Sequence, residues 1–400
     1  MPELPTRILF LGFATSEVMY ERLVTTDRGM PAQTHRFGWS VIEALSCAGA
    51  DVVPVSVEPA SDYPGNTRVL FRRSEFLRGG VQGITAGYLN ITGLKHLTRY
   101  LSTRRTLSRL LRRGHKFDAV LIHGVHSPLL WAGLRLGRHC EIPVVTILTD
   151  PPSIKTPGDG ALSRGMKMVD KRLILAALAR MRGVVALAPQ LAHDFAPGLP
   201  YLWMEGIARG LSVRRAGEGH VVPEVIYAGS LNHEYGVLDL VDSLEHSAGH
   251  WCLSVYGRGP AEGELAQRAR TQPRLRLGGM RDAQQLAEVY GAARLLVNPR
   301  PPSAGFTLYS FPSKLLEFMS SGVPVVTTEI PNIPHDYLKH LIIAEAGPMG
   351  LARAIDAALE RSWEELDGLG AGAREFILET RGIKSQGGRL LGFLASLRSA

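Results

Sequence analysis

Cysteine is scarce in this chain. The three present, Cys47, Cys140 and Cys252, are isolated, form no CxxC pair and have no histidine-rich neighbour, which argues against a disulfide scaffold or a structural metal and for a reducing, cytoplasmic setting. Long apolar runs are also missing: none approaches the ~18 residues of a bilayer span. Met1 to Pro5 lead directly into an apolar strand, with no charged-then-apolar leader and no small-residue cleavage site. The expectation is a soluble protein or one peripheral at the inner face of a membrane. No G-x-G-x-x-G follows the first strand, Arg7 to Gly12, which excludes the dinucleotide fingerprint there. Repeats and low-complexity tracts are absent as well.

Acidic residues are missing from one long stretch. Between Glu75 and Asp118 there is none, against nine basic residues: Arg78, Lys95, Arg99, Arg104, Arg105, Arg109, Arg112, Arg113 and Lys116. Leu94, Leu97, Leu101, Leu107, Leu110 and Leu111 interleave at helical spacing, so residues 94–116 read as a basic amphipathic helix. Two readings stay open: a solvated charged face over leucines packed in a core, or a surface for anionic lipid headgroups or an anionic acceptor. Nucleic acid fits poorly, because neither a recognition motif nor a set of stacking aromatics accompanies the charge. The whole formal excess of +8 lies in the first half, with 25 Lys+Arg against 16 Asp+Glu over residues 1–205 and 20 against 21 over 206–400.

At 400 residues and 45% hydrophobic content the chain is long enough for two cores. Apolar strands that end in polar or glycine turns recur throughout, and in open parallel sheets such ends line the ligand crevice. In the first half they are Ile8 to Leu11 before Gly12, Phe117 to Ile122 before His123 and His126, and Pro143 to Leu148 before Asp150. His35, ahead of a helix with Val41, Ile42, Ala44 and Leu45 inward, reads as a ligand-side or merely exposed loop histidine. His123 and His126 read equally as structural, and Asp150 equally as the start of a turn at Pro151-Pro152. Lys167 to Arg182 reads as a helix and Gly183 to Leu187 as the last strand of this half. In the second half strands and helices alternate over 224–228, 237–247, 252–256, 261–270, 274–277, 283–291, 294–298, 313–321, 323–328, 341–343 and 348–360, the pattern of a sheet covered on both faces.

The densest signal is Phe311-Pro312-Ser313-Lys314-Leu315-Leu316-Glu317-Phe318-Met319-Ser320-Ser321-Gly322-Val323-Pro324-Val325-Val326. Ser313 is expected to cap a helix with Leu315, Leu316 and Met319 inward and Gly322 at its end. A helix start offers amides and a positive dipole to phosphate, and Ser313 and Lys314 could add a hydroxyl and a charge. Glu317, one turn on, stands about 6 Å from that seat, at the right separation for a ribose diol. An ordinary capped helix with surface charges is the plain alternative.

Together with the turns Ala228-Gly229-Ser230 and Gly257-Arg258-Gly259-Pro260, this order resembles the donor half of GT-B glycosyltransferases, specifically retaining family 4. The resemblance covers residues 222–360 well and the first half loosely. It implies an α/β fold of two Rossmann-like parallel-sheet domains facing across a cleft that closes on the donor, with boundaries at 1–207, a linker over 208–222, a nucleotide-sugar domain over 223–382, and a terminal helix over 383–400 returning to the first domain. It implies a nucleotide diphosphate sugar as substrate, a saccharide or lipid-linked acceptor, retention of configuration, and no cofactor. Gly229, Ser230, Arg258, Met280, Arg281, Ser310, Phe311, Ser313, Lys314, Leu315 and Glu317 would bind the donor. His123, His126 and Asp150, with Gly12, would lie on the acceptor side. No Asp-x-Asp cluster is present to seat a metal. Two positions depart from the family: Tyr309 stands where its first glutamate is expected, and Tyr235-Gly236 where Lys-Gly is common, so Arg258 is the substitute phosphate ligand. A nucleotide-sugar 2-epimerase and a sugar-binding regulator with a lost site are the rival readings.

Overall fold

The computed structural model describes residues 6–27, 32–152, 161–211, 213, 222–303 and 305–398. The expected start at Met1 to Pro5 and most of the expected linker, 212 and 214–221, lie outside the described residues. The chain divides into two compact units, Met1–Ile207 with Ile383–Ala400, and Ala208–Gly382.

The first unit carries strands β1 (Arg7–Gly12), β2 (Asp51–Ser56), β3 (Leu70–Phe71), β4 (Ser74–Arg78), β5 (Val81–Thr85), β6 (Tyr88–Leu89), β7 (Ala119–His123), β8 (Val144–Leu148), β9 (Gly183–Ala186) and β10 (Tyr201–Trp203). Its first helices are α1 (Glu17–Thr26), α2 (Ala32–Cys47), α3 (Lys95–Arg112), α4 (Ser127–Cys140), α5 (Ala161–Leu178) and α6 (Pro189–Phe195). Eight strands form one sheet in the order β10-β9-β8-β7-β1-β2-β5-β4, parallel except for the β4–β5 hairpin, while β3 and β6 pair separately. The central strands are apolar on both faces and buried on both, as parallel strands under helices require. Gly183 to Leu187 is not the last strand here: Tyr201–Trp203 pairs parallel to it and forms the sheet edge. Three residues are too few for a periodic signal, which is why the sequence hid this strand.

The second unit carries β11 (Glu224–Ser230), β12 (Cys252–Arg258), β13 (Leu275–Gly279), β14 (Leu295–Asn298), β15 (Val325–Thr328) and β16 (Ile342–Ala344). Between and after them come α7 (Val237–His246), α8 (Glu262–Ala269), α9 (Ala283–Ala292), α10 (Ser313–Ser321), α11 (Pro348–Leu359) and α12 (Trp363–Arg381). The strands are all parallel, in the order β13-β12-β11-β14-β15-β16. Along β11 alternate side chains enter opposite cores: Val225 and Tyr227 pack with Leu240, Leu253 and Ile355, and Ile226 and Ala228 with Tyr290, Leu315 and Met319. Capping boxes at Asp282/Gln285 and Ser362/Glu365 fix where α9 and α12 begin.

After the second unit the chain adds α13 (Ile383–Ser396) to the first, against α2. Leu390, Leu394 and Leu397 join Val41, Ile42 and Leu45 in one core. Gly387 permits the approach, since a Cβ there would lie 1.9 Å from the Ala44 carbonyl oxygen. Gln386 Nε2 donates to the Gly206 carbonyl at 2.7 Å and Arg389 to that of Trp203 at 2.8 Å.

Candidate active site

In each sheet the strand order reverses at one point, and there the loops after the carboxyl ends diverge into a crevice. In the second unit the reversal lies between β11 and β14. The turn Gly229-Ser230 ends β11, Arg258 ends β12, Met280 and Arg281 follow β13, and Arg300 follows β14. The helix α10, running back along the sheet, presents its amino end on the same side. The two glycine turns interlock: Gly257 has φ 138°, and a Cβ on it would lie 1.8 Å from the Gly229 carbonyl oxygen. Ser230 and Arg258 are exposed, Met280 is 54% exposed, and the Arg281 guanidinium lies 6.0 Å from the Tyr256 ring centre.

The start of α10 differs from expectation in one respect. Pro312, in extended backbone, is the N-cap and Ser313 the first helical residue, and no side-chain capping bond forms because the proline ring carries no acceptor. The Leu315 amide bonds the Pro312 carbonyl at 2.8 Å, so the amides left open by the helix geometry are those of Ser313 and Lys314. Leu315 and Phe311 are buried in the apolar core, Phe311 edge-on to Tyr337 at 5.9 Å, so their side chains contribute packing. Ser310 Oγ donates to the Phe306 carbonyl at 3.2 Å and accepts from Arg300 Nη1 at 3.1 Å. Gly322, at φ 78°, closes the helix as the pattern indicates.

Lys314 and Glu317 come together. Lys314 Nζ lies 2.7 and 2.9 Å from the two Glu317 carboxylate oxygens, and Tyr290 donates its hydroxyl to Oε1 at 2.7 Å. Tyr290, on α9, is fully buried, and burial with the Glu317 charge pushes its ionisation above the usual tyrosine range, so it stays a donor. The Lys314–Glu317 pair is about one-third exposed on both sides. Such an i,i+3 pair contributes only ~0–1 kcal/mol, so Lys314 can leave it for a stronger anion at little cost. No sequence signal marked Tyr290 or Arg300.

In the first unit the strand order reverses between β7 and β1. Gly12 ends β1 and packs on His123, whose Cβ would lie 3.0 Å from a Cβ at Gly12. His123 is 1% exposed, set among Phe10 and Phe37, and burial lowers its pKa to about 4. His126, the N-cap residue of α4, has Nε2 3.1 Å from Arg99 Nη1. Arg99 only donates, so Nε2 accepts and the proton sits on Nδ1, which has no partner among the described residues. Burial first, then Arg99, His96 and Lys95, hold His126 well below its ordinary pKa. Both histidines are therefore neutral near pH 7 and suited to hydrogen bonding rather than to donating a proton as imidazolium. Asp150 is exposed beyond β8.

His35 is neither a loop residue nor exposed. It lies within α2, 1% exposed, stacked on Tyr20 at 4.2 Å with Nε2 3.1 Å from Arg78, and burial lowers its pKa to about 4. The basic stretch also divides. Lys95 and Arg99 point inward, Lys95 onto the Ala60 carbonyl at 2.7 Å and Arg99 onto that of Glu58 at 2.7 Å, while Leu94 and Leu97 are 45% and 53% exposed. A surface cavity of about 520 Å³ bordered by Arg138, Arg180, Arg182 and Arg398 lies at the amino ends of β8 and β9, away from the crevice side.

Residues 222–361 match the family model of glycosyl transferases, group 1. That match spans the second unit from β11 to the end of α11 and leaves the first unit outside it. Comparison of the chain with curated protein sequences gives no match. Among solved structures it resembles sucrose-phosphate synthase from Thermosynechococcus elongatus at 16% identity and TM-score 0.63, over 98% of this chain and 99% of that one. It resembles the lipopolysaccharide outer core galactosyltransferase WaaB at 15% and 0.62, over 98% and 99%. Anabaena Alr3699/HepE, solved in complex with UDP, matches at 12% and 0.61, over 98% and 100%. The fold is GT-B, two parallel-sheet domains, as the resemblance implied.

Proposed function

We propose that this enzyme moves a sugar from a nucleotide diphosphate sugar to an acceptor hydroxyl, retaining the anomeric configuration and using no metal. The carrying observation is the Lys314–Glu317–Tyr290 cluster at the open end of α10, on the crevice side of the second sheet. The Ser313 and Lys314 amides and the Lys314 ammonium take the diphosphate, with Ser230 and Arg258 across the turn. Glu317, held by Tyr290, takes the ribose diol, and the main chain at Met280 and Arg281 flanks the base. As the bond from anomeric carbon to phosphate oxygen breaks, charge grows on the diphosphate, where these fixed donors are worth most. UDP is the favoured nucleotide, since HepE binds it. His123, His126 and Asp150 are assigned to the transferred sugar and the acceptor, with Tyr309 in place of the family's first acid.

The acceptor is assigned to a lipid-linked saccharide at an anionic, inner membrane face. On α3, Leu97, Arg104, Arg105 and Arg112 share one exposed face. His96 of α3 lies 3.5 Å from Asp170 of α5, and beside Asp170 stand Met166, Val169 and Leu173, 42%, 57% and 44% exposed. Apolar side chains rimmed by arginine suit an interfacial surface. No helix among the described residues is long and apolar enough to cross a membrane.

A thermal-shift panel of UDP-, GDP- and dTDP-sugars, with and without EDTA, tests the donor assignment. One donor should raise the melting temperature equally in both buffers, and Lys314→Ala and Glu317→Ala should remove the shift. A shift that survives both substitutions, or none with any donor, would count against it.

A further inference from the structure

Arg300 is a half-buried cation without an acid. Its guanidinium lies 4.8 Å from the Tyr235 ring centre and 5.1 Å from that of Phe306. Nη1 donates to Ser310 Oγ at 3.1 Å, and its carbonyl accepts from the Thr328 hydroxyl. Among the described residues no carboxylate pairs with it, whereas Lys314 has Glu317, Arg268 has Asp242 and Glu264, and Arg381 has Asp336. Desolvation weakens its hold on its proton, offset only by the nearby Tyr235 and Tyr227. Removing a cation from water without an anion is costly, and folds retain such an arrangement where an anion arrives later.

Its position says which anion. Arg300 follows β14, whose neighbours are β11 and β15, so it stands at the reversal of strand order where the phosphates of a nucleotide seat. Tyr227, of β11, donates to the Ser230 carbonyl at 2.7 Å, and Ser310 stands three residues before the helix of Lys314. The site is built rather than loose. Gly236 has φ 76°, and a Cβ there would lie 2.0 Å from the Pro299 carbonyl oxygen, so the Tyr235 turn is pressed onto the segment that carries Arg300. The Tyr235 and Phe306 rings, 5.2 Å apart, lie side by side against the guanidinium, and the one side-chain hydrogen bond it makes among the described residues is to Ser310, which leaves nitrogens to form a fork with two oxygens.

We propose that Arg300 is a ligand of the donor's diphosphate, the second basic group beside Lys314, supplying through space the charge that the sequence lacks at Tyr235. This rests on the donor reading above. The role of Tyr235 is thereby also assigned: it holds the plane of the guanidinium instead of bringing a charge of its own.

The test is calorimetric binding of UDP, GDP and dTDP, and of their monophosphates, to the wild-type chain and to Arg300→Gln, Arg300→Lys and Glu317→Ala. Arg300→Gln should weaken the diphosphate by about 10- to 100-fold and the monophosphate by much less, with Arg300→Lys between. Glu317→Ala should weaken both alike. Far-UV circular dichroism checks that each variant is folded, and Arg300→Lys carries the comparison if Arg300→Gln is not. An unchanged ratio of diphosphate to monophosphate affinity in the Arg300 variants overturns the assignment alone. Failure of the wild-type chain to bind any of the six nucleotides overturns the donor reading and this assignment with it.

Discussion

Tyr290 gives its hydroxyl to Glu317 from inside the core, which makes it a positioning residue rather than a ligand. Tyr290→Phe should leave the melting temperature of the free protein nearly unchanged and lower donor affinity by about 5-fold, the ~1 kcal/mol of one hydrogen bond, as read by calorimetry. Three buried groups set a second expectation, for stability against pH. Glu58 is wholly buried, its carboxylate oxygens accept no hydrogen bond among the described residues, Arg68 stands 3.9 Å away, and burial raises its pKa from 4.5 to about 7. His35 and His123 are lowered from 6.5 to about 4. A raised acid favours the folded state below its unfolded pKa and loses that advantage as pH rises to 7. A lowered histidine does so above 6.5 and loses it as pH falls to 4. Between pH 4.5 and 6.5 the two histidines, with His126 acting in the same direction, outweigh the one acid, so stability should rise with pH; from 6.5 to 7 the acid alone among these groups acts and stability should fall. Denaturant titrations at pH 5, 6.5 and 8 should show Glu58→Gln gaining on wild type as pH rises, and a constant gap would refute the account. Lys314 and Glu317 were legible because helix spacing alone puts them together. Tyr290 and Arg300 were not, because their partners come from other elements, 27 residues away for Tyr290 and Glu317.

Helices α3 and α5 carry the lipid-facing proposal. Flotation with anionic liposomes should recover the wild-type chain but not a variant with Arg104, Arg105, Arg112 and Arg113 neutralised, and salt should weaken recovery as its screening length shortens. Equal behaviour of the two chains would sink the idea. On α13, Leu394 is 1% exposed in the first unit's core, so Leu394→Ala should cost about 2–5 kcal/mol in a denaturant titration. The alternation of strands and helices in the second unit could be read because each segment is long enough to show its period. The hairpin and short strands over residues 70–89 and the edge strand 201–203 could not, since two to five residues carry no period and their pairing is decided by distant partners. The basic helix was legible as amphipathic, but not which charges would turn inward: Lys95 and Arg99 are claimed by carbonyls at Ala60 and Glu58, which no local pattern records.

At the scale of the molecule, two parallel sheets with one reversal each place every phosphate, sugar and acceptor candidate on a strand's carboxyl side. Turn residues after apolar strands announce that placement, so the site's general address was readable well before its full membership. The uneven charge has a counterpart in the fold, because the arginines of α3 all belong to the first unit. That unit has another property. It is discontinuous in sequence, and α13 fills a groove over α2 only after residues 208–382 have been made. During synthesis the later-encoded sheet therefore has all its parts first, while the core around Val41, Ile42 and Leu45 still lacks Leu390, Leu394 and Leu397. A chain cut just short of Ile383 would hold every element of the second unit and lack one of the first, the unit whose translation began earlier.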